Sequence, residues 1–240
     1  DIQEFDPDLY NRTASEEQQR KQFRLLIRRE EVKYYYQPIV SAVNGKVRAL
    51  EALMHIDMPM LKSPEDVIRL AKEEKCLHEL ERLTFFQSAE GYCRLRENGD
   101  VRGDELLFVN SIASESMTDE ESREFNQQYG ELKPQMVLEI TEQESLNMDA
   151  LEKKNMSGFL GAIALDDYGS GYNSEKSLLA ISPQYIKVDK DIIRDIDTDP
   201  DKRQIVANIV DYAHQRGMYI VAEGVETPEE LKAVLELGAD

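Results

Sequence analysis

Six stretches of this chain carry a polar residue inside an apolar run or at its C-terminal end: Glu51, Asn110, Glu139, the pair Asp166-Asp167, Lys187 with Asp189, and Glu223. A buried carboxylate is costly unless it is paired or coordinated to a metal. Any one of these alone reads more readily as a member of a structural network; six strands repeating the pattern point to a shared site. Converging acids repel one another unless a cation neutralises them. Carboxylates with one amide, and no cysteine or histidine cluster, suit hard divalent ions such as Mg2+ or Mn2+ rather than zinc. Adjacent Asp166 and Asp167 can serve two ions, one carboxylate bridging while its neighbour binds the second. Two ions that hold a phosphate and activate a water are the usual arrangement for phosphodiester hydrolysis.

Directly after the acids comes Tyr168-Gly169-Ser170-Gly171-Tyr172-Asn173-Ser174. Two glycines flanking a serine beside metal-ligand candidates predict a mobile loop able to close over substrate.

Strands must hold these residues, and the pattern supplies seven. Lys33–Val40 and Val47–Ile56 flank Asn44-Gly45, the strongest short hairpin signal, so they run antiparallel. Glu105–Asn110, Met136–Thr141, Gly161–Asp166, Tyr185–Asp189 and Met218–Glu223 follow, with a helical segment between each pair. Helix starts are marked by Ser63-Pro64-Glu65-Asp66, by the capping box Thr118/Glu121 and by Asp199-Pro200. These helices are expected to run to about Lys75 for the first and to near Gly217 for the last, with others at Leu77–Glu97 and Leu231–Leu237. An amphipathic helix over Glu17–Glu31 leads into the domain, and residues 1–18 read as a polar linker or arm. Strands alternating with helices imply parallel pairing with right-handed crossovers. An open doubly wound sheet and a closed barrel both fit that pattern. No G-x-G-x-x-G follows a strand and no G-x-x-x-x-G-K-[ST] occurs, which disfavours a nucleotide-binding open sheet. In a parallel barrel the C-terminal strand ends converge on the rim where active sites sit.

The 240 residues suffice for one α/β barrel. Lys and Arg number 29 against 48 Asp and Glu, a net charge of −19. That acidity argues against binding DNA or RNA and against docking on an anionic membrane; an anionic substrate needs a recruited cation. Two cysteines, Cys76 and Cys93, cannot staple the chain, and no apolar run approaches the ~20 residues needed to span a bilayer. The expected location is a reducing cytoplasm. The chain opens on Asp1 without Met, as a fragment of a longer protein would.

At these residues the sequence resembles the EAL domain family, bacterial phosphodiesterases acting on the second messenger cyclic di-GMP. The resemblance runs in order through YYYQPIV, Glu51-Ala52-Leu53, FVN ending at Asn110, LEITE at Leu138–Glu142, LDDYGSGYNS from Leu165, IKVD ending at Asp189, and VAEGVET from Val221. It implies a (β/α)8 TIM-like barrel whose first strand is antiparallel, over residues 19–240. It also implies that Glu51, Asn110, Glu139 and Asp166 ligate one metal and that Asp166 with Asp167 holds a second. Glu223 would position or activate the attacking water. Lys187 would hold the water or balance charge, or serve as a buried partner for the acids. Gln37, Leu53, His55 and Asp189 would line the substrate, and Glu142 would anchor the glycine loop. Homodimers and an upstream sensory or cyclase domain, possibly membrane-tethered in the full-length protein, would fit the family.

Two departures stand out. The family usually carries arginine where this chain has His55, and histidine offers fewer donors and is mostly neutral near pH 7. The family also continues past the seventh strand into an eighth, which this chain, ending at Asp240, is expected to lack. The leading reading is hydrolysis of cyclic di-GMP to linear pGpG with two ions of Mg2+ or Mn2+. The alternative is a catalytically weak or inactive sensor or regulatory module. A metal-assisted enolising barrel fits less well, because adjacent aspartates beside a glycine loop suit two ions and a phosphate.

Overall fold

The computed structural model describes residues 7–61, 63–141, 161–170 and 174–240. Among them seven strands form one sheet in sequence order, β1 (Lys33–Val40), β2 (Val47–His55), β3 (Leu106–Asn110), β4 (Met136–Thr141), β5 (Ala162–Tyr168), β6 (Tyr185–Val188) and β7 (Tyr219–Ala222). β1 and β2 are antiparallel and every later neighbour is parallel. The Asn-Gly signal is met: Gly45 has φ 66°, its N–H donates to the Ser41 carbonyl at 2.8 Å, and Asn44 Oδ1 accepts from Lys46 N at 3.0 Å.

The outer layer holds α1 (Pro7–Arg29), α2 (Pro64–Glu74), α3 (Leu77–Asn98), α4 (Asp119–Tyr129), α5 (Ser174–Ile181), α6 (Lys190–Ile193), α7 (Pro200–His214) and α8 (Pro228–Leu237). The caps act as their residue types dictate. Ser63 accepts from Asp66 N, Thr118 and Glu121 form a reciprocal box, and Asp199 accepts from Asp201 N and Lys202 N. The first helix starts at Pro7 rather than near Glu17, so residues from Pro7 onward, read above as an arm, are helical. Pro7 suits the first position of a helix, whereas Asp8, Asn11, Thr13 and Ser15 are weak helix formers, which is why composition gave no sign of the earlier start. No helix among the described residues is long and apolar enough to cross a membrane.

Two apolar layers sandwich the sheet. Outside, Leu50, Leu107 and Leu138 pack against Phe85, Phe86 and Phe125, and Ile186, Val188 and Ile220 pack against Val206, Ile209 and Val210. Inside, Ala49, Phe108, Val137 and Ala164 form a small buried layer, with Tyr185 against it. Because side chains alternate with period two, each candidate residue lies one repeat beyond a member of that layer: Glu51, Asn110, Glu139, Asp166 and Lys187. The inner face therefore has an apolar floor and a charged layer above it, toward the C-terminal strand ends. The sheet is strongly curled. β2 and β6 are four strands apart, about 19 Å in a flat sheet, yet Glu51 and Lys187 approach to 3.0 Å.

Candidate active site

Lys187, 1% exposed on β6, is ringed by acids from four other places on the sheet. Its Nζ lies 3.0 Å from Glu51 Oε1 (β2), 2.5 Å from Glu139 Oε1 (β4), 2.9 Å from Asp166 Oδ1 (β5) and 2.9 Å from Glu223 Oε1 just after β7. Asn110 closes the arrangement from β3, its Nδ2 donating to Glu139 Oε2 at 3.1 Å. An ammonium has three protons and here faces four carboxylates. Glu139 Oε1 and Asp166 Oδ1 are buried with the Lys187 ammonium as their neighbour and no well-directed hydrogen bond.

The electrostatics follow from crowding at low dielectric. Burial alone would lower the Lys187 pKa, but Glu139, Asp166, Glu223 and Glu51 outweigh it and raise it well above the ordinary lysine range. Burial pushes Glu139 well up, with Lys187 opposing and Glu51 and Asp166 adding to the rise. Burial likewise lifts Glu223 to about 7 against the pull of Lys187. Asp167 is raised by burial, then by Asp166 and Asp189.

Asp166 and Asp167 should point to opposite faces of a regular strand. They do not act as such a pair, because the β5–β6 register breaks between Leu165 and Tyr168 and Asp167 adopts φ 53°. This irregularity re-aims a side chain, a common use of bulges next to sites. One oxygen each from Asp166, Asp167 and Glu223 then lie within 4.8 Å of one another. Four carboxylates sharing one ammonium, and an all-oxygen donor set with one amide, fit a hard divalent cation, to which these carboxylates and Asn110 are suited.

Among the other residues predicted from sequence, Gln37 sits opposite Glu51 in the β1–β2 register. Leu53 and His55 continue the same strand face outward from Glu51, and the His55 ring stacks on Tyr35 with centroids 4.3 Å apart. Asp189 is buried, and its carboxylate accepts from Asp191 N at 2.7 Å as the cap of α6. Glu142 and residues 171–173 of the glycine loop lie outside the described residues. Sequence reasoning missed Tyr35, which shares a face with Gln37 by period two. It also missed Glu81, whose signal was a carboxylate at helical spacing with Thr84 and Ser88 on the apolar face of α3.

A family model described as EAL domain matches residues 18–240. The probable cyclic di-GMP phosphodiesterase PdeG of Escherichia coli (strain K12) is 30% identical, over 92% of this chain and 44% of its own length. The cyclic di-GMP phosphodiesterase NbdA of Pseudomonas aeruginosa is 30% identical over 97% of this chain and 30% of its own. The chain thus spans less than half the length of these relatives. Its fold is similar to that of PaMucR phosphodiesterase, solved in complex with c-di-GMP, with TM-score 0.74 and 24% identity over 93% of each chain. With the curled seven-stranded sheet, its antiparallel first pair and its ring of rim carboxylates in place, the match over residues 18–240 shows that the chain belongs to the EAL domain family.

Proposed function

We propose that this chain is a metal-dependent phosphodiesterase that hydrolyses cyclic di-GMP to linear pGpG. The observation that carries the reading is the gathering of Glu51, Glu139, Asp166 and Glu223 around Lys187, with Asp167 turned toward the same cluster. The names of PdeG and NbdA, and the ligand of PaMucR, support cyclic di-GMP as the substrate.

Glu51, Asn110, Glu139 and Asp166 would hold one Mg2+ or Mn2+, and Asp166 with Asp167 a second. Bound divalent ions neutralise phosphate charge and lower the pKa of a bound water. Glu223, placed just after β7 beside Asp166 and Asp167, would take the proton of the attacking water. The water oxygen forms the new bond to phosphorus, the P–O3′ bond breaks, and O3′ leaves as a hydroxyl by taking from solvent a proton equivalent to the one Glu223 then releases. Lys187 keeps its charge throughout and limits repulsion among the acids. Gln37, Leu53 and His55, on the inner faces of β1 and β2, would line the substrate, and Asp189 would stand at the same rim.

A second reading, binding without turnover, draws on His55, whose ring stacks on Tyr35. Incubation with cyclic di-GMP and Mg2+ or Mn2+, followed by chromatography of the nucleotides, separates the two. Hydrolysis yields linear pGpG and is lost in Glu51→Ala; a sensor returns the cyclic nucleotide intact.

A further inference from the structure

The inner face of α3 is apolar except for three polar residues at helical spacing, Glu81, Thr84 and Ser88, all buried. Two of them join the helix to β1: Tyr34 Oη donates to Thr84 Oγ1 at 2.9 Å, and Tyr36 Oη donates to the Ser88 carbonyl at 2.8 Å. Glu81 reaches elsewhere. It is 1% exposed, its Oε1 accepts from Ser111 Oγ at 2.8 Å and its Oε2 accepts from Ile112 N at 2.8 Å. Ser111 N in turn donates to the Glu139 carbonyl at 3.0 Å. The two residues that follow Asn110 are thereby held from one side by α3 and from the other by β4.

Asn110 is the last residue of β3 and is exposed, so packing does little to fix it. Its amide still reaches Glu139 Oε2 at 3.1 Å, which requires the chain to leave the strand in one direction. A carboxylate suits that task, because it offers two acceptors to two donors one residue apart. Glutamine would turn an NH2 group against one of them. A buried carboxylate whose partner is removed is expensive, so its presence as the one charged group among the buried residues of this helix calls for a role.

We propose that Glu81 is a positioning residue for the cation site. By clamping Ser111 and Ile112 it sets the direction in which Asn110 presents its side chain beside Glu139, and so sets the affinity of the cluster for a divalent ion. This rests on the reading above that the cluster holds such an ion.

The test is Mn2+ binding by the full chain, followed through the electron paramagnetic resonance of free Mn2+, with melting temperature and turnover measured in parallel. Glu81→Gln is expected to weaken Mn2+ binding by about ten- to a hundred-fold, the usual effect of losing a group that orients a metal ligand. Saturating Mn2+ is expected to restore its kcat. Thr84→Ala, on the same helix face but bonded to β1, is expected to lower the melting temperature and leave Mn2+ affinity unchanged. If Glu81→Gln fails to fold, Ser111→Ala, which removes one of the two clamp bonds, is expected to weaken Mn2+ binding several-fold. Mn2+ affinity in the clamp variants within about twofold of wild type, or an equal loss in Thr84→Ala, overturns the positioning role. Wild-type protein that binds no Mn2+ overturns the cation reading itself, and the role of Glu81 with it.

Discussion

Asp166 and Asp167 are consecutive in β5, yet both lie beside Glu223, because Asp167 takes a left-handed backbone at φ 53° where the β5–β6 ladder slips. Two carboxylates from one strand thus serve one cluster, which alternation would otherwise forbid.

That backbone separates two variants. Asparagine tolerates the left-handed region, so Asp167→Asn is expected to fold as the wild type while losing the charge. Loss of about 3 kcal/mol of transition-state stabilisation corresponds to about a hundred-fold fall in kcat. Asp167→Ala is expected to lose that activity and also about 1 kcal/mol of stability, because alanine lacks the short polar side chain that lets Asp and Asn settle in the left-handed region. Thermal melting beside kcat measurement checks both, and an Asp167→Asn protein with wild-type turnover would sink the assignment.

The Lys187 ammonium lies within 3.0 Å of four acids. Lys187→Met should therefore lower the stability of metal-free protein by about 3–5 kcal/mol, the cost of leaving buried charge uncompensated. Added Mg2+ or Mn2+ should recover more stability in this variant than in the wild type. Urea unfolding with and without the ion measures the difference; equal recovery would contradict it.

The pH dependence of metal-free stability has two opposed arms. Glu230 is drawn down to about 2 by N–H donors from Asp195 and Glu226, with Thr227 adding to them, so its contribution is present above about 4.3 and fades as pH falls toward 2. Glu223, raised to about 7 by burial, does the reverse: its contribution is complete below about 4.3 and is lost as pH climbs through 7. Metal-free protein is expected to be most stable near the lower end of that window and to weaken toward neutrality. Saturating divalent ion should flatten the upper arm, because binding favours the ionised acids. Unfolding curves across pH 3–8 in chelator and in Mn2+ read this directly; an upper arm unaffected by Mn2+ would count against it.

Much of this was legible in the chain. The hairpin turn, the caps at Ser63, Thr118 and Asp199, and the period-two spacing that sets Glu51, Asn110, Glu139, Asp166 and Lys187 on one face are local rules, and local rules can be read from one sequence. What escaped was non-local. The bulge at Asp167 depends on how β5 meets β6, and Glu81 acts on residues thirty positions away across a helix–strand contact. The capping bond of Asp189 also competes with the substrate contact expected of it, since its carboxylate closes the first turn of α6. The early start of α1 is a different case: neither an apolar stripe nor a run of strong helix formers marks residues 7–16, and Pro7 is the one local signal there.

Calcium provides a further check. It prefers more ligands and longer bonds than Mg2+, so Ca2+ is expected to occupy the carboxylates and stop turnover while preserving nucleotide binding. Titrating Ca2+ into a reaction run in Mg2+ should abolish product formation; rates unchanged at excess Ca2+ would contradict a site that needs tightly held ions.

The central claim is that this ring of carboxylates directs water onto a phosphodiester. Turnover of cyclic di-GMP with Mn2+ in 18O-labelled water, followed by mass spectrometry, tests it most directly. The account predicts linear pGpG bearing one 18O on its terminal 5′-phosphate, and none of it in Glu51→Ala. Cyclic di-GMP recovered intact, or a product without label, would contradict it.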